Sequence, residues 1–108
     1  MKFLSKDLAQ KDGASLEYDF GDAPLNLARI DLHGRYPDQG WAFNKESTMC
    51  CYVLEGSGSL MVEDASFELE EGDACIIDTD EKYFWEADMT LLIASTPPWT
   101  KEQAGRSR

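Results

Sequence analysis

The segment 49–83 constrains the fold most, because it alternates short apolar runs with glycine-containing turns. It reads MCCYVLEGSGSLMVEDASFELEEGDACIIDTDEKY. Apolar residues at every second position, such as Leu60 and Val62, predict half-buried β-strands. The segments 55–58 and 70–73 predict turns, since glycine supplies positive φ without steric cost. We interpret 55–58 as a hairpin turn, and the whole segment as one half of a small antiparallel β-barrel.

The flanking segments continue the same alternation. Further strands are predicted at 25–33, at 83–85 and at 89–95, and the prolines that follow Thr96 end regular pairing. No stretch shows sustained helical periodicity or βαβ spacing, so about nine short strands predict an all-β sandwich or barrel. The chain of 108 residues is expected to form one domain, 1–108, with its core at about 16–97 and a mobile tail at 100–108.

The charge balance excludes several classes of partner. The net charge is −11, from 21 acidic and 10 basic residues, and such a surface repels nucleic-acid phosphates and anionic lipid heads. We therefore expect no nucleic-acid and no membrane partner. The chain has no signal-peptide pattern and no run of ~18 apolar residues, so a cytoplasmic location is the default expectation.

The three cysteines have two possible roles. Cys50, Cys51 and Cys75 all lie in apolar strand-like runs, where cysteine usually behaves as a small buried hydrophobe. Buried free thiols are the favoured interpretation, and metal or redox use is the alternative.

The order of strands and turns resembles that of the cupin superfamily, a double-stranded β-helix or jelly roll. The matching residues are Tyr52-Val53-Leu54-Glu55-Gly56-Ser57-Gly58, Glu70-Glu71-Gly72-Asp73 and the run 74–77. The likeness covers about residues 24–97 and implies a cupin-type jelly-roll barrel. It also implies a homodimer, because small cupins commonly pair through a sheet edge or face.

The metal ligands usual in that superfamily are missing from the matching positions. The first cupin motif has the form G-x5-H-x-H-x(3,4)-E-x6-G, and anchoring it on Gly56 places Met49 at the glutamate position. The two histidine positions of this motif are occupied by Phe43 and Lys45, or by Ala42 and Asn44 with the longer spacing. The histidine position of the second motif is occupied by Tyr83. These side chains do not replace the imidazole and carboxylate ligands of Fe, Mn, Ni or Zn. We expect neither a metal nor another cofactor.

The same alignment predicts an aromatic-rich pocket in the barrel mouth. Motif positions and period-two alternation bring together seven inward side chains: Trp41, Phe43, Lys45, Met49, Cys51, Tyr83 and Trp85. Aromatic walls with a few polar groups are typical of a small-molecule site. The alternative is that these residues simply fill a small barrel.

Three functions remain open from the sequence. The favoured one is a metal-independent cupin-like protein that binds a small organic molecule. The second is an enzyme, an isomerase or oxygenase, that uses atypical metal ligands or acid–base residues, for which Lys45 with Glu46 and Tyr83 with Asp78 are weak catalytic candidates. The third is a structural or regulatory interaction module.

Two further aromatic residues lie outside the motifs. His33, the lone histidine, is interpreted as a structural hydrogen bonder. Trp99 could fasten the C-terminal segment or cap the barrel mouth, and the fastening role is favoured.

Overall fold

Nine β-strands and two short 3₁₀ helices make up the regular structure of residues 1–108 in the computed structural model. The strands are β1 (Gln10–Asp12), β2 (Ser15–Tyr18), β3 (Asn26–Tyr36), β4 (Trp41–Asn44), β5 (Thr48–Val62), β6 (Ala65–Glu70), β7 (Ala74–Ile77), β8 (Tyr83–Thr96) and β9 (Ala104–Ser107). The 3₁₀ helices span Lys6–Leu8 and Lys101–Gln103. Neither has the length and apolar character needed to cross a bilayer.

Strand β8 is the centre of one curled antiparallel sheet. It pairs along one edge with β3, from Asn26↔Ser95 to Tyr36↔Trp85, and along the other with β5. The β1–β2 hairpin extends the sheet beyond β3, whereas β6 and β7 share the far edge of β5. Strand β4 pairs with β8 beyond the end of β3, and β9 pairs with β4. The prediction of an all-β barrel is confirmed, although the two strands predicted at 83–85 and 89–95 are one continuous strand, β8.

The hairpin turn predicted at 55–58 is wrong, because β5 runs through this segment without reversing. The pairing with β8 shifts between Val53 and Glu55, which marks a β-bulge at Leu54. Such an extra residue changes which alternate side chains face inward. The buried residues are accordingly odd-numbered before the bulge, as at Val53, and even-numbered after it, as at Leu60. The chain reverses instead at the short turn between Val62 and Ala65.

Gly56 and Gly58 allow β5 to approach β8 closely. A Cβ atom at Gly56 would lie 2.2 Å from the carbonyl oxygen of Asp88, and one at Gly58 would lie 2.3 Å from Cβ of Ala87. Gly56 also has φ of +88°. Glycines inside a strand often mark a bulge or a close backbone approach, so the glycine signal here reflects crowding between strands.

The second predicted glycine turn, at 70–73, is confirmed. The amide of Asp73 donates to the carbonyl of Glu70 at 2.9 Å, and the Asp73 carboxylate accepts from the Glu70 amide at 2.8 Å. The Gly72 amide donates to the carbonyl of Val53 at 2.9 Å, and the Val53 amide donates to the backbone carbonyl of Asp73 at 2.9 Å. The turn is therefore bonded to β5 just before the bulge.

The hydrophobic core lies between the inward faces of these strands. Its fourteen buried residues are Leu32, Ala42, Met49, Cys51, Val53, Leu60, Leu69, Ile77, Tyr83, Trp85, Ala87, Met89, Leu91 and Ile93. Six of them alternate along β8, as expected for a strand with one face toward the core.

The predicted mobile tail at 100–108 is wrong, because this segment contains β9, the strand at one edge of the sheet. Strand β9 pairs with β4 from Trp41↔Ser107 to Asn44↔Ala104. The buried Gln103 side chain accepts from the amides of Glu46 at 3.1 Å and Ser47 at 2.7 Å. The C-terminal segment thus satisfies backbone donors in the β4–β5 connection.

Alanine substitutions at Gly56 and, as a control, at Gly72 test the close approach of β5 to β8. Gly56 and Gly72 have similar φ, +88° and +92°, but a Cβ atom at Gly72 would meet nothing within 4 Å. Gly72→Ala should cost about 1–3 kcal/mol from backbone strain. Gly56→Ala should cost about 1–3 kcal/mol more, because the added methyl overpacks the sheet. Urea unfolding measures both losses, and equal losses would show that β5 does not approach β8 this closely.

Candidate functional site

A cavity of about 390 Å³ opens on the inner side of the sheet. Twelve of its nineteen lining residues are hydrophobic. The complete lining is Asp12, Ala14, Ser15, Glu17, Asn26, Ala28, Ile30, Leu32, Tyr36, Asn44, Met49, Tyr83, Trp85, Leu91, Ile93, Ser95, Trp99, Ala104 and Arg106. This volume and this mainly apolar wall are typical of sites for small organic ligands.

Strand pairing explains how the apolar wall forms. Residues directly opposite one another in an antiparallel pair share a face of the sheet. Ile30 lies opposite Leu91, and Ala28 lies opposite Ile93. The inward residues of β8 therefore meet those of β3, and together they line one side of the cavity.

Tyr83, Ala42 and Arg106 form one row across three strands. Ala42 of β4 pairs with Tyr83 of β8 on one side and with Arg106 of β9 on the other. The three residues consequently share the inner face. The small Ala42 side chain leaves space between the phenol and the guanidinium.

The guanidinium of Arg106 is oriented by Tyr36. Its Nη2 donates to the Tyr36 hydroxyl at 2.9 Å, and its Nη1 donates to the Gly105 carbonyl at 2.8 Å. The guanidinium carbon also lies 5.5 Å from the centre of the Tyr36 ring, within the range of a cation–π contact. Both tyrosines and the arginine line the cavity.

Burial keeps the Tyr83 hydroxyl protonated. Loss of solvent around the phenol raises the pKa of Tyr83, and the neighbouring Tyr36 and Cys51 raise it further, whereas Arg106 has the opposite effect. At neutral pH this hydroxyl can therefore both donate and accept a hydrogen bond.

Trp99 connects the C-terminal segment to two sides of the cavity. Its indole Nε1 donates to Asn44 Oδ1 at 2.9 Å, and its backbone amide donates to Asn26 Oδ1 at 3.2 Å. Asn26 Nδ2 donates in return to the Trp99 carbonyl at 3.4 Å. The sequence left a clamp and a cap as alternatives, and the structure shows a residue that fastens the segment and also lines the cavity.

Solved structures share this architecture at low sequence identity. Pac13 of Streptomyces, described as a unique nucleoside dehydratase, matches with a TM-score of 0.81 and 13% identity over 100% of this chain and 92% of that one. Ectoine synthase from P. lautus matches with a TM-score of 0.68 and 17% identity, over 96% of this chain and 83% of that one. KdgF from Halomonas matches with a TM-score of 0.65 and 16% identity, over 90% of this chain and 94% of that one. The fold is a cupin-type β-barrel. No family model and no curated protein matches the sequence.

Three of the seven predicted pocket residues line the cavity of this cupin-type barrel. Met49, Tyr83 and Trp85 face inward as the alignment predicted. Cys51 also faces inward but is completely buried in the core and does not reach the cavity.

The predicted inward positions of Trp41, Phe43 and Lys45 are wrong. On β4 the buried residues are Ala42 and Asn44, so the alternation has the opposite phase. Trp41 instead packs edge-on against Phe84, with ring centres 5.0 Å apart. A shift of one residue in the motif spacing exchanges the two faces of a strand. The longer of the two spacings considered from sequence is the one that agrees with the structure.

The candidate acid–base residues are not brought together. Lys45 is exposed and lies outside the cavity lining, whereas Tyr83 is buried within it. His33 is on the outer surface, where its Nδ1 lies 2.6 Å from Asp88 Oδ1 and both side chains are at least 75% exposed. The structure therefore places the lone histidine in a surface pair and away from the cavity.

The side chains at the metal-ligand positions have unsuitable donors. With the longer spacing, the inner positions are occupied by Ala42, Asn44, Met49 and Tyr83. An amide, a thioether and a phenol do not match the imidazole and carboxylate set of metal-binding cupins. Nor do three or more His, Cys, Asp or Glu side chains group anywhere in the structure as metal ligands would.

Several cavity residues were not among the seven predicted pocket residues. Arg106 and Ala104 belong to the segment interpreted as a mobile tail, and Tyr36 to a turn-rich stretch. Asn26 and Asn44 are short polar residues whose position beside Trp99 depends on long-range pairing. The longer motif spacing did place Asn44 at an inward position, and the phase of β4 in the structure agrees with it.

Two thiols face each other beneath the cavity, because Cys51 of β5 pairs directly with Cys75 of β7. Hydrogen bonding with Cys75, together with burial, raises the pKa of Cys51. The same bond lowers the pKa of the half-buried Cys75. All three cysteines are free, but Cys50 is exposed, so the expectation of buried thiols is wrong for that residue.

The pH dependence of alkylation should distinguish these thiols. In a Cys50→Ser background, the rate at which Cys75 reacts with iodoacetamide should be half-maximal at a lower pH than the rate for a free thiol, since the thiolate is the nucleophile. Cys51 should stay unreactive while the protein is folded. Peptide mass spectrometry measures both sites. Cys51→Ala is the control, and it should move the Cys75 half-maximum to higher pH; an unchanged profile would contradict the thiol contact.

Proposed function

We propose that this cupin-type barrel binds a small organic molecule in the cavity and does so without a metal ion. The observation that supports the proposal is a cavity of about 390 Å³ with an apolar wall and a few inward polar groups. Orienting polar groups within a largely apolar pocket are what small-molecule sites have in common.

The lining favours a ligand with a flat ring and several hydrogen-bonding groups. Trp85 and Trp99 offer aromatic surface, and the hydroxyl of Tyr83 and the amide of Asn44 offer polar contacts. A nucleoside has this combination of a ring and hydroxyls, and structures of the similar Pac13 contain uridine. Uridine is therefore the first probe to test.

Metal independence is proposed because of the side chains at the ligand positions. Asn44, Met49 and Tyr83 provide weak or neutral donors where metal-binding cupins need histidines and a carboxylate. The binding energy of the ligand must then come from burial of its ring and from hydrogen bonds with the lining.

Binding is favoured over catalysis by the arrangement of titratable groups. Lys45 lies away from the cavity, and burial raises the pKa of Tyr83, so its hydroxyl stays protonated and gives up its proton poorly. A purely structural module would not need an open cavity of this size.

Filling the cavity should abolish binding. Ala28→Trp introduces an indole into the lining, and Ala74→Trp makes the same change at an exposed position on β7. In a thermal-shift and calorimetric screen that begins with uridine, at least one compound should bind to both wild type and Ala74→Trp but not to Ala28→Trp. Tyr83→Phe should lower the affinity for the same ligand by about tenfold if the Tyr83 hydroxyl forms a hydrogen bond with the ligand.

Chelation and elemental analysis test metal independence in the same experiment. Treatment with EDTA should leave the ligand affinity unchanged, and near-stoichiometric Fe, Mn, Ni or Zn in the purified protein would contradict this part of the proposal. A screen in which no metabolite class stabilises the wild type would contradict binding itself.

We also propose that the barrel forms a homodimer through the outer face of β5 and β7. Ile76 is 63% exposed and Tyr52 is 44% exposed on this face, and the exposed Cys50 lies directly opposite Ile76. An apolar patch on a protein of net charge −11 is a candidate interface.

A charge placed in this patch should separate the two copies. Wild type should sediment with twice the chain mass of 12.2 kDa, and Ile76→Asp should sediment as the monomer. Phe67→Asp is the matched control, because Phe67 is 51% exposed but lies on β6, away from the patch. A monomeric wild type would rule out the homodimer.

A further inference from the structure

We propose that the molecule bound in the cavity carries an anionic group, a carboxylate or a phosphate, which is held by Arg106. The inference rests on the proposed function, because it assigns a chemical class to the ligand of the same cavity. Four observations about the position and the partners of Arg106 support it.

Arg106 is exposed but lines the cavity, because β9 pairs with β4 at the edge of the sheet. Its pairing partner is Ala42, whose other partner is Tyr83, so the guanidinium and the phenol lie on the same inner face. Arg106 is the only basic residue among the nineteen that line the cavity. A ligand that enters the cavity therefore meets one positive charge, at the β4–β9 end.

The charge of Arg106 is not neutralised by the protein. Its observed partners are the Tyr36 hydroxyl and the Gly105 carbonyl, both of which are neutral acceptors. The only two ion pairs of the chain are His33–Asp88 and Lys101–Asp12, although 21 acidic residues are present. A guanidinium has five N–H donors, so several remain for a ligand.

An anion with two neighbouring oxygen atoms is the natural partner for such a group. Guanidinium donors match carboxylate and phosphate oxygens in paired hydrogen bonds, which are stronger than bonds to neutral acceptors. Tyr36 orients the guanidinium before a ligand binds, which reduces the entropy that binding must overcome. The protonated hydroxyl of Tyr83, across Ala42, adds a second kind of donor to the same end of the cavity.

The two carboxylates that line the cavity belong to other strands. Asp12 is on β1, where Lys101 lies 3.6 Å away, and Glu17 is on β2, where it accepts a hydrogen bond from Ser15. Their negative charge disfavours an anion near β1 and β2 and favours its binding at the β4–β9 end. The charges of the lining thus give the ligand a preferred orientation.

Matched acidic and neutral compounds test the inference. Uridine is compared with uridine 5′-monophosphate, and a panel of aromatic carboxylic acids, which includes orotate, is compared with the corresponding primary amides. Calorimetric affinities are measured for wild type, Arg106→Gln and Arg29→Gln, a control at an exposed arginine outside the cavity. Wild type should prefer the charged member of at least one pair, and Arg106→Gln should lose about tenfold or more of that affinity while it keeps the weaker affinity for the neutral member.

Arg106→Lys and salt dependence give independent measurements. The lysine keeps the charge but not the paired donors, so it should retain the preference for anions at reduced affinity. The wild-type affinity for the charged member should fall with added salt, whereas that for the neutral member should not. This measurement decides the question even if Arg106→Gln does not fold.

The outcomes separate this inference from the proposed function. If neutral members bind as tightly as charged ones, or if Arg106→Gln keeps the affinity for anions, the anion site is wrong but the cavity remains a binding site. If no compound of either kind binds to the wild type, the proposed function fails and the inference fails with it.

Discussion

The pairing of β8 along both of its edges is the constraint on which the rest of the structure depends. Its 14 residues are matched with β5 on one side and largely with β3 on the other. Because neighbouring residues of a strand point to opposite faces, this double pairing decides which side chains of three strands enter the core. The cavity wall at Leu91 and Ile93 is a direct consequence.

The bulge in β5 shows how a local irregularity maintains that long pairing. The register shift after Val53 changes the inward set from odd to even residues, and Gly56 and Gly58 remove the side chains that would collide with β8. Glycine was interpreted from sequence as a turn signal, because turns and close approaches need the same missing Cβ. Only the partner strand distinguishes the two uses.

The polar part of the cavity is assembled from segments that are distant in the chain. Tyr36, Tyr83 and Arg106 meet because β4 lies between β8 and β9. Trp99 adds hydrogen bonds with Asn26 and Asn44, so the C-terminal segment both forms one edge of the sheet and completes the cavity. This dependence explains why a segment rich in charged residues, which looks like a tail in isolation, is ordered in the structure.

The sequence by itself determined the class of fold, the turn at 70–73 and the inward positions of Met49, Tyr83 and Trp85, because alternation and turn chemistry are local properties of the chain. The tertiary structure alone decided that Trp41 and Phe43 face outward and that the exposed Arg106 lines the cavity. A period of two fixes the spacing of the inward residues but not which alternate set is inward, and that phase is chosen by the strand on the other side of the pair.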